Sequence, residues 1–319
     1  MAQFEEVEAL TRAFSEGLGV DEKLLISTLG KSHAEHRTSF RKRSPSFFIE
    51  DEERSFERWD DRRVHLLRNE FVRFENSMVL WTMHPWERDA RLLNEALKEG
   101  PNSYGVIVEV SCTRSSEGLL GARKAYHSLF DHSIEEDVAT CVTGSERKLL
   151  VALVSAYRYE GPKVKEDIAK SEAKILANAI KNGDKKNPIE DDEVVRILTT
   201  RSKSLIKSIC NNYYKDVSGK NINEDLEATD LILKEIIQCL TTPQTYFIKV
   251  LDEAMKPDAD SSAKNALTRV IITQADADLK ALTEQYQSVY GVSLSEKIES
   301  IAKGNYKDFL LALLTGEKN

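Results

Sequence analysis

Apolar residues along this chain recur at helical rather than strand intervals. Leu67, Phe71, Phe74 and Met78 stand at i, i+4, i+7 and i+11. Tyr306, Phe309, Leu310, Leu313 and Leu314 stand at i, i+3, i+4, i+7 and i+8. Both spacings lay an apolar stripe along one face of a helix, and the alternation that specifies half-buried strands is scarce. Seven prolines and fourteen glycines punctuate short helical stretches. The pattern predicts an all-α chain of many short helices joined by tight loops.

The helical stretches also echo one another, the signature of a repeat architecture. VIVEVSCTRSSE (106–117), EVVRILTTRSKS (193–204) and ALTRVIITQADAD (266–278) each carry an apolar pair, a charged residue, four spacers and a polar residue opening a turn. The paired positions are Glu109 and Arg114, Arg196 and Arg201, Arg269 and Gln274, and more weakly Ser27 and Ser32 in KLLISTLGKSHAE (23–35). WTMHPWERDARLL (81–93) matches CLTTPQTYFIKVL (239–251), each with a proline where a helix would start and its missing N–H costs nothing. SIEEDVATCVTGSERKLLVAL (133–153) resembles SLSEKIESIAKGNYKDFLLAL (293–313). Four units follow, at 1–100, 101–185, 186–257 and 258–319. A polar linker at 183–193 and an apparent insertion at 44–63 interrupt them. Eleven of the fourteen positions Glu50 to Arg63 are charged, seven acidic and four basic. Such a run reads as a solvated helix or loop, with a partner site as the sharper alternative.

Composition narrows the function classes. With 319 residues and 41% hydrophobic content the chain can build sizeable cores. Lys and Arg number 45 against 53 Asp and Glu, a net charge of −8, which argues against whole-surface nucleic-acid binding. No run approaches the ~18 apolar residues of a membrane-spanning helix. Cys112, Cys141, Cys210 and Cys239 are widely spaced without a CxxC pair, and Met1 to Glu8 reads as acidic and amphipathic rather than as a leader. Reduced cysteines and a cytoplasmic location are the expectation.

At GLGVDEKLLISTLG (17–30), LWTMHPWERDARLLNEALK (80–98), EVSCTRSSEGLLGARKAYHSLF, VALVSAYRYEGPKVKEDIAKSEAKIL and IIQCLTTPQTYFIKVL the chain resembles the annexins, and within them the plant branch. The resemblance covers nearly the whole chain. It implies four repeats of about five helices each, arranged as a curved disc with calcium loops on the convex face.

Calcium takes six to eight hard oxygens in flexible geometry. A G-x-G turn can aim several carbonyls at one point because glycine tolerates the dihedrals needed. Gly17-Leu18-Gly19 is the chain's only such turn. The resemblance implies that the carbonyls of Ser15, Gly17 and Gly19 are the ligands. It makes Glu70 the capping carboxylate, with Glu75 as alternative and Asp21 and Glu22 as accessory ligands. Read without the family, the same stretch is a helix start with acids suited to its dipole. The other loops depart from the pattern. Pro101-Asn102-Ser103 lacks the glycines, and Cys141 stands at the second repeat's cap. Glu190 to Glu193 accompany the third loop without glycines. Asp258 to Ser262 form the fourth, whose cap position is Ile301. Calcium is therefore expected mainly in the first repeat.

Asp89, Glu109, Arg114, Arg196, Arg201, Arg269 and Asp278 match the family's hydrophilic centre. Buried charges there would be paired, either as salt bridges that fix how repeats dock or as a polar path for ions. Cys112 and Cys239 match a cysteine pair proposed as redox-responsive in plant annexins; the plain alternative is a pair of small core residues. Pro45 stands where a peroxidase histidine would fall, and the chain has no HExxH and no GxxxxGK[ST] loop, so no catalytic set is expected. Val195-Arg196-Ile197 approximates a tripeptide linked to actin binding in plant annexins. The expected function is reversible, calcium-dependent docking on anionic phospholipid membranes from the plant cytoplasm, linked to stress responses. Actin or other proteins are further partners, and the chain is a monomer or weakly self-associating. The alternative is a calcium-independent scaffold or a redox-responsive annexin-like protein.

Overall fold

The fold was taken from a computed structural model that describes residues 2–14, 17–29, 34–51, 56–155, 157–182, 187–226 and 231–315. It is all-α apart from one hairpin among the described residues. The chain divides into two units, Met1–Thr82 with Val250–Asn319, and Met83–Lys249.

The first unit opens with α1 (Ala2–Phe14), α2 (Glu22–Leu29) and α3 (Ala34–Arg43), packed through Leu10, Leu25 and Phe40. The charged insertion, expected as a solvated helix or loop, instead contains an antiparallel hairpin of β1 (Phe48–Asp51) and β2 (Phe56–Trp59). Phe48 faces Trp59 across it and Ile49 faces Arg58. The physical reason lies in the apolar minority of the run. Phe47, Phe48 and Trp59 join Phe14 and Phe40 in one aromatic cluster, with ring centroids 4.4 Å apart for Phe48 and Trp59 and 5.5 Å for Phe40 and Phe48. Burying such rings outweighs the polar character of their neighbours.

The 22-residue helix α4 (Asp61–Thr82) overturns one periodicity reading. Phe71 and Met78 of the expected stripe are 42% and 37% exposed, whereas Arg73 and Ser77 are buried. The buried face of α4 is polar because its arginine meets partners on two other helices, described below.

In the second unit Pro85 and Pro243 do begin helices, α5 (Pro85–Glu99) and, ten helices later, α15 (Pro243–Ala254). Between them run α6 (Tyr104–Thr113), α7 (Ser116–Phe130), α8 (Ile134–Cys141), α9 (Glu146–Ser155) and α10 (Glu166–Lys181). Then come α11 (Asp192–Thr200), α12 (Lys203–Asn212) with a π-helical continuation at Tyr213–Ser218, α13 (Ile222–Leu226) and α14 (Leu231–Thr241). In α15 (Pro243–Ala254) the chain passes back to the first unit. Leu93, Ile107, Val108, Val110, Leu149, Leu150, Leu153, Ile236 and Ile237 are among the fully buried residues that form this unit's core.

The first unit closes with α16 (Ser261–Ala275), α17 (Leu279–Tyr290), α18 (Leu294–Ile301) and α19 (Gly304–Thr315). The two segments that resemble each other in sequence start their helices identically. Ser133 with Glu136 and Ser293 with Glu296 each form a capping box, satisfying two otherwise orphaned backbone N–H groups. The stripe expected on α19 buries Tyr306 and Leu310 completely.

Candidate functional site

Gly17 and Gly19 hold φ values of 141° and 79°, in the region that favours glycine. Between them Leu18 pairs with the segment leading into α19. Its N–H donates to the Ile301 carbonyl at 2.8 Å, and its carbonyl accepts from the Lys303 N–H at 2.8 Å. The approach is close enough to demand glycine a second time. A Cβ on Gly19 would lie 2.9 Å from the Lys303 carbonyl oxygen, and one on Gly17 would lie 3.0 Å from that of Ile301.

Glu70 of α4 reaches this loop. Its Oε2 accepts the Gly19 N–H at 2.8 Å, closing a span of 51 residues. The same carboxylate is gripped by Arg73, whose Nε donates to Oε2 and whose Nη2 donates to Oε1, both at 2.7 Å. Arg73 in turn donates from Nη1 to Asn265 Oδ1 of α16 at 3.1 Å, and its guanidinium lies 5.8 Å from the ring centroid of Tyr306 on α19. Burial disfavours charge on Arg73, but the hydrogen bond and the attraction of Glu70 outweigh it, and the net effect raises its pKa. Burial also pushes the Tyr306 hydroxyl up to about 12.

The remaining expected calcium-site residues fall as follows. Ser15 lies outside the described residues. Glu75 is exposed on α4, one turn beyond Glu70, and makes no hydrogen bond or ion pair with the loop. Asp21 and Glu22 act as structural acceptors: Asp21 Oδ1 takes the Leu24 N–H at 3.0 Å, and Glu22 Oε2 takes the Asn305 N–H at 3.2 Å. Both carboxylates frame the loop, each engaged through one oxygen. In the other loops Pro101–Ser103 is a 3-10 turn, Cys141 is exposed, and Asp191 and Asp260 cap α11 and α16. Among the described residues no three His, Cys, Asp or Glu side chains cluster as metal ligands, so a cation site here would rest on backbone oxygens and a single acid.

The expected charge network is distributed over both units. In the second unit Arg114 grips Asp89 with Nε and Nη2, each 2.8 Å from a carboxylate oxygen, and Glu109 lies fully buried beside it. Arg196 and Arg201 converge on a residue that sequence reasoning missed, Glu172 of α10. Arg196 Nη2 is 3.0 Å from Glu172 Oε1 and Arg201 Nη2 is 2.6 Å from it. The signal was present: Glu172 stands on the same face of α10 as Ala169, Ala173 and Leu176, a lone charge in an apolar row. Arg158 was also missed; it is buried and donates to the Arg201 carbonyl at 2.7 Å and to that of Leu198. In the first unit Asp278 departs from the expectation. It is exposed and caps α17 by accepting the Ala281 N–H at 3.1 Å, because a carboxylate at a helix start satisfies a donor nothing else reaches. Arg269 is half-buried on α16.

Cys112 and Cys239 are free and fully buried in the second unit. Burial pushes the Cys112 thiol up to about 11 even though Arg158 and Lys203 pull the other way, and burial holds Cys239 well above the usual thiol range. In this state both are packed as small core residues.

An all-helical chain with internally matching segments, and a glycine loop met by a remote carboxylate, defines a repeat protein of the annexin type. A match to the annexin family covers residues 88–153 and 246–313. The chain is 54% identical to annexin D4 of Arabidopsis thaliana over 314 residues, spanning 97% of this chain and 98% of that one. It is 39% identical to annexin-like protein RJ4 of Fragaria ananassa, spanning 98% and 96%. Among solved structures, annexin A8 superposes with a TM-score of 0.68 at 25% identity, covering 98% of this chain and 94% of that one. The chain belongs to the annexin family, and its relatives are plant annexins.

Proposed function

We propose that this annexin docks peripherally and reversibly on anionic phospholipid membranes under calcium control, with calcium held mainly at the first-repeat loop. The observation that carries the reading is the Gly19–Glu70 hydrogen bond. It sets a carboxylate against a loop whose two glycines hold positive φ values. The donor chemistry fits calcium: the Gly17 and Gly19 carbonyls and the Glu70 carboxylate are hard oxygens. Calcium bound there would bridge the loop to a lipid phosphate. Glu70 and the glycines would orient it, and Arg73, which neutralises Glu70 in this structure, would hand over part of that role. Several weak contacts along a repeat protein would then add through effective concentration. The site belongs to the cytoplasmic face of the membrane in this reading, and the physiological setting is a plant stress response.

The test is co-sedimentation with phosphatidylserine vesicles in calcium and in chelator. Pelleting of the wild type only with calcium, lost in Glu70→Gln, is the expected result. Calcium-dependent pelleting that survives Glu70→Gln would remove the first-repeat assignment.

A second reading has its own observation. Both Glu70 oxygens are already satisfied by Arg73, a built-in cation, so the loop is closed without metal. A calcium-independent scaffold, with Arg196 or Cys112 and Cys239 serving partners or redox control, would follow if pelleting proved identical in calcium and chelator.

A further inference from the structure

Beside the glycine loop the first unit opens into a cavity of about 660 Å³, a size within the roughly 300–1,000 Å³ of small-molecule sites. Its wall has two chemistries. Phe47, Trp59, Leu66 and Met255 supply an apolar side, while Arg62, Arg63, Lys256, Lys264 and Lys303 supply a cationic one. Glu70 and Glu299 are the acids in the wall, and Glu70 is held by Arg73. The cavity is therefore locally basic on a chain whose net charge is −8.

The cations differ in how far they are satisfied. Lys256 pairs with Glu253 at 2.6 Å, and Lys303 Nζ donates to the Arg12 carbonyl at 3.1 Å. Arg62, Arg63 and Lys264 make no ion pair or side-chain hydrogen bond among the described residues. Arg62 and Arg63 also sit in the first turn of the 22-residue α4, at the end of the helix whose dipole disfavours cations. Asp60 and Asp61 do not relieve them, since Asp60 accepts the Arg63 backbone N–H and Asp61 pairs with Arg58. An anion in the cavity would relieve both unpaired charge and dipole at once. The hairpin insertion contributes to the lining as well, because Phe47 precedes β1 and Trp59 ends β2.

We propose that this cavity binds a small organic phosphate, its anion held by Arg62, Arg63 and Lys264 and its apolar body lying against Trp59 and Leu66, without calcium. Arginine suits the phosphate because its planar fork donates two parallel hydrogen bonds. Two adjacent arginines and a lysine suit a dianion better than a single carboxylate.

The test is calorimetric titration of the full chain in excess chelator with phenyl phosphate and with inorganic phosphate, so that it stays separate from the calcium reading. Phenyl phosphate binding is expected to weaken by about tenfold or more in the Arg62→Gln, Arg63→Gln double variant and in Lys264→Gln. Leu66→Asn is expected to weaken phenyl phosphate while leaving inorganic phosphate unchanged. Arg62, Arg63 and Leu66 are exposed, so these variants should melt as the wild type does. Vesicles of phosphatidic acid, also in chelator, form the second arm. Pelleting lost in the arginine double variant would identify the phosphate as a lipid headgroup, whereas phenyl phosphate binding without pelleting would identify a soluble ester. Absence of binding in both arms, equal affinity for the two phosphates, or unchanged affinity in the arginine variant would overturn the proposal.

Discussion

The backbone N–H of Gly19 and the side chain of Glu70, 51 residues apart, meet in a 2.8 Å hydrogen bond. Neither residue could keep this arrangement alone. Gly19 is needed because a Cβ would collide with the Lys303 carbonyl, and Glu70 is held in place by two donors of Arg73. Acid and loop are preset, and the charge of the acid is compensated by Arg73.

That compensation predicts how calcium affinity responds to Arg73. Arg73→Met would leave Glu70 with the Gly19 N–H as its hydrogen-bond donor and raise the negative potential at the loop. A charge-assisted pair contributes about 1.5–3 kcal/mol, so the calcium midpoint for vesicle binding should fall by roughly tenfold or more. Glu70→Gln should move it in the opposite direction. An unchanged midpoint in Arg73→Met would mean that calcium does not compete with Arg73 for this carboxylate.

Gly304 is the more demanding glycine. It has a φ of 57°, and a Cβ there would come within 2.0 Å of the Val20 carbonyl. Gly304→Ala should destabilise the first unit by about 2 kcal/mol or more, since the backbone must shift and Asn305 would lose its bond to Glu22. Thermal unfolding measures this, and a melting temperature equal to the wild type would contradict the packing described.

Glu172 should contribute less to stability than Asp89, although both are buried carboxylates of the second unit's charge network. Its side chain is 4% exposed and serves two arginines that are 35% and 30% exposed. The arginines can rehydrate, which limits the loss on Glu172→Gln to about 1–3 kcal/mol. Asp89→Asn strands a more buried partner, Arg114, and should cost about 3 kcal/mol. Urea unfolding of both variants should rank them in that order.

Thiol reactivity should follow burial rather than the resemblance to a redox pair. Cys141 is exposed, while burial raises Cys112 to about 11, Cys210 to about 12 and Cys239 well above its usual value. A thiol reagent at pH 8 should label Cys141 first, half-buried Cys210 more slowly, and reach Cys112 and Cys239 at the rate of unfolding. Labelling of Cys112 as fast as Cys141 would show that it opens in the native state.

Two carboxylates should make the second unit sensitive to acid. Hydrogen bonds from Ser218 and then Tyr213 hold Asp225 below its ordinary 3.8, and bonds from Asn212 and then Ser208 hold Glu166 below its ordinary 4.5. Because folding lowers both pKa values, the stabilisation is complete above the unfolded values. It is lost as pH falls below about 4.5 and then through the folded values. Asn212→Ala should bring the Glu166 titration, followed by NMR, back up toward its ordinary value.

The glycine loop, its acid and the helix-starting prolines were legible because each carries its chemistry in residue type: a G-x-G, an acid at the aligned position, a ring that fixes φ. The hairpin was not, because seven acids and four bases in the fourteen positions after Ile49 mask Trp59 and set it apart from Phe47 and Phe48, and their partners, Phe14 and Phe40, lie elsewhere in the chain. The polar buried face of α4 was missed for a similar reason. Counting apolar positions favours Phe71 and Met78, whereas the decisive partners of Arg73 are Glu70 on the same helix and Asn265 nearly two hundred residues away. Glu172 was overlooked although its place among alanines on α10 marks it. Asp278 was assigned from its position in the repeat, but a helix start offered it a nearer donor.

The short bridge between Leu18 and Ala302 has a consequence for biosynthesis. On a ribosome, the glycine turn emerges long before its backbone partners, so the turn must wait, unshaped, until Ile301 and Lys303 have been made. Until then the early helices of the first unit lack the strand-like clasp that seats them, and a nascent chain stalled before Lys303 would carry the first-repeat loop in no fixed form.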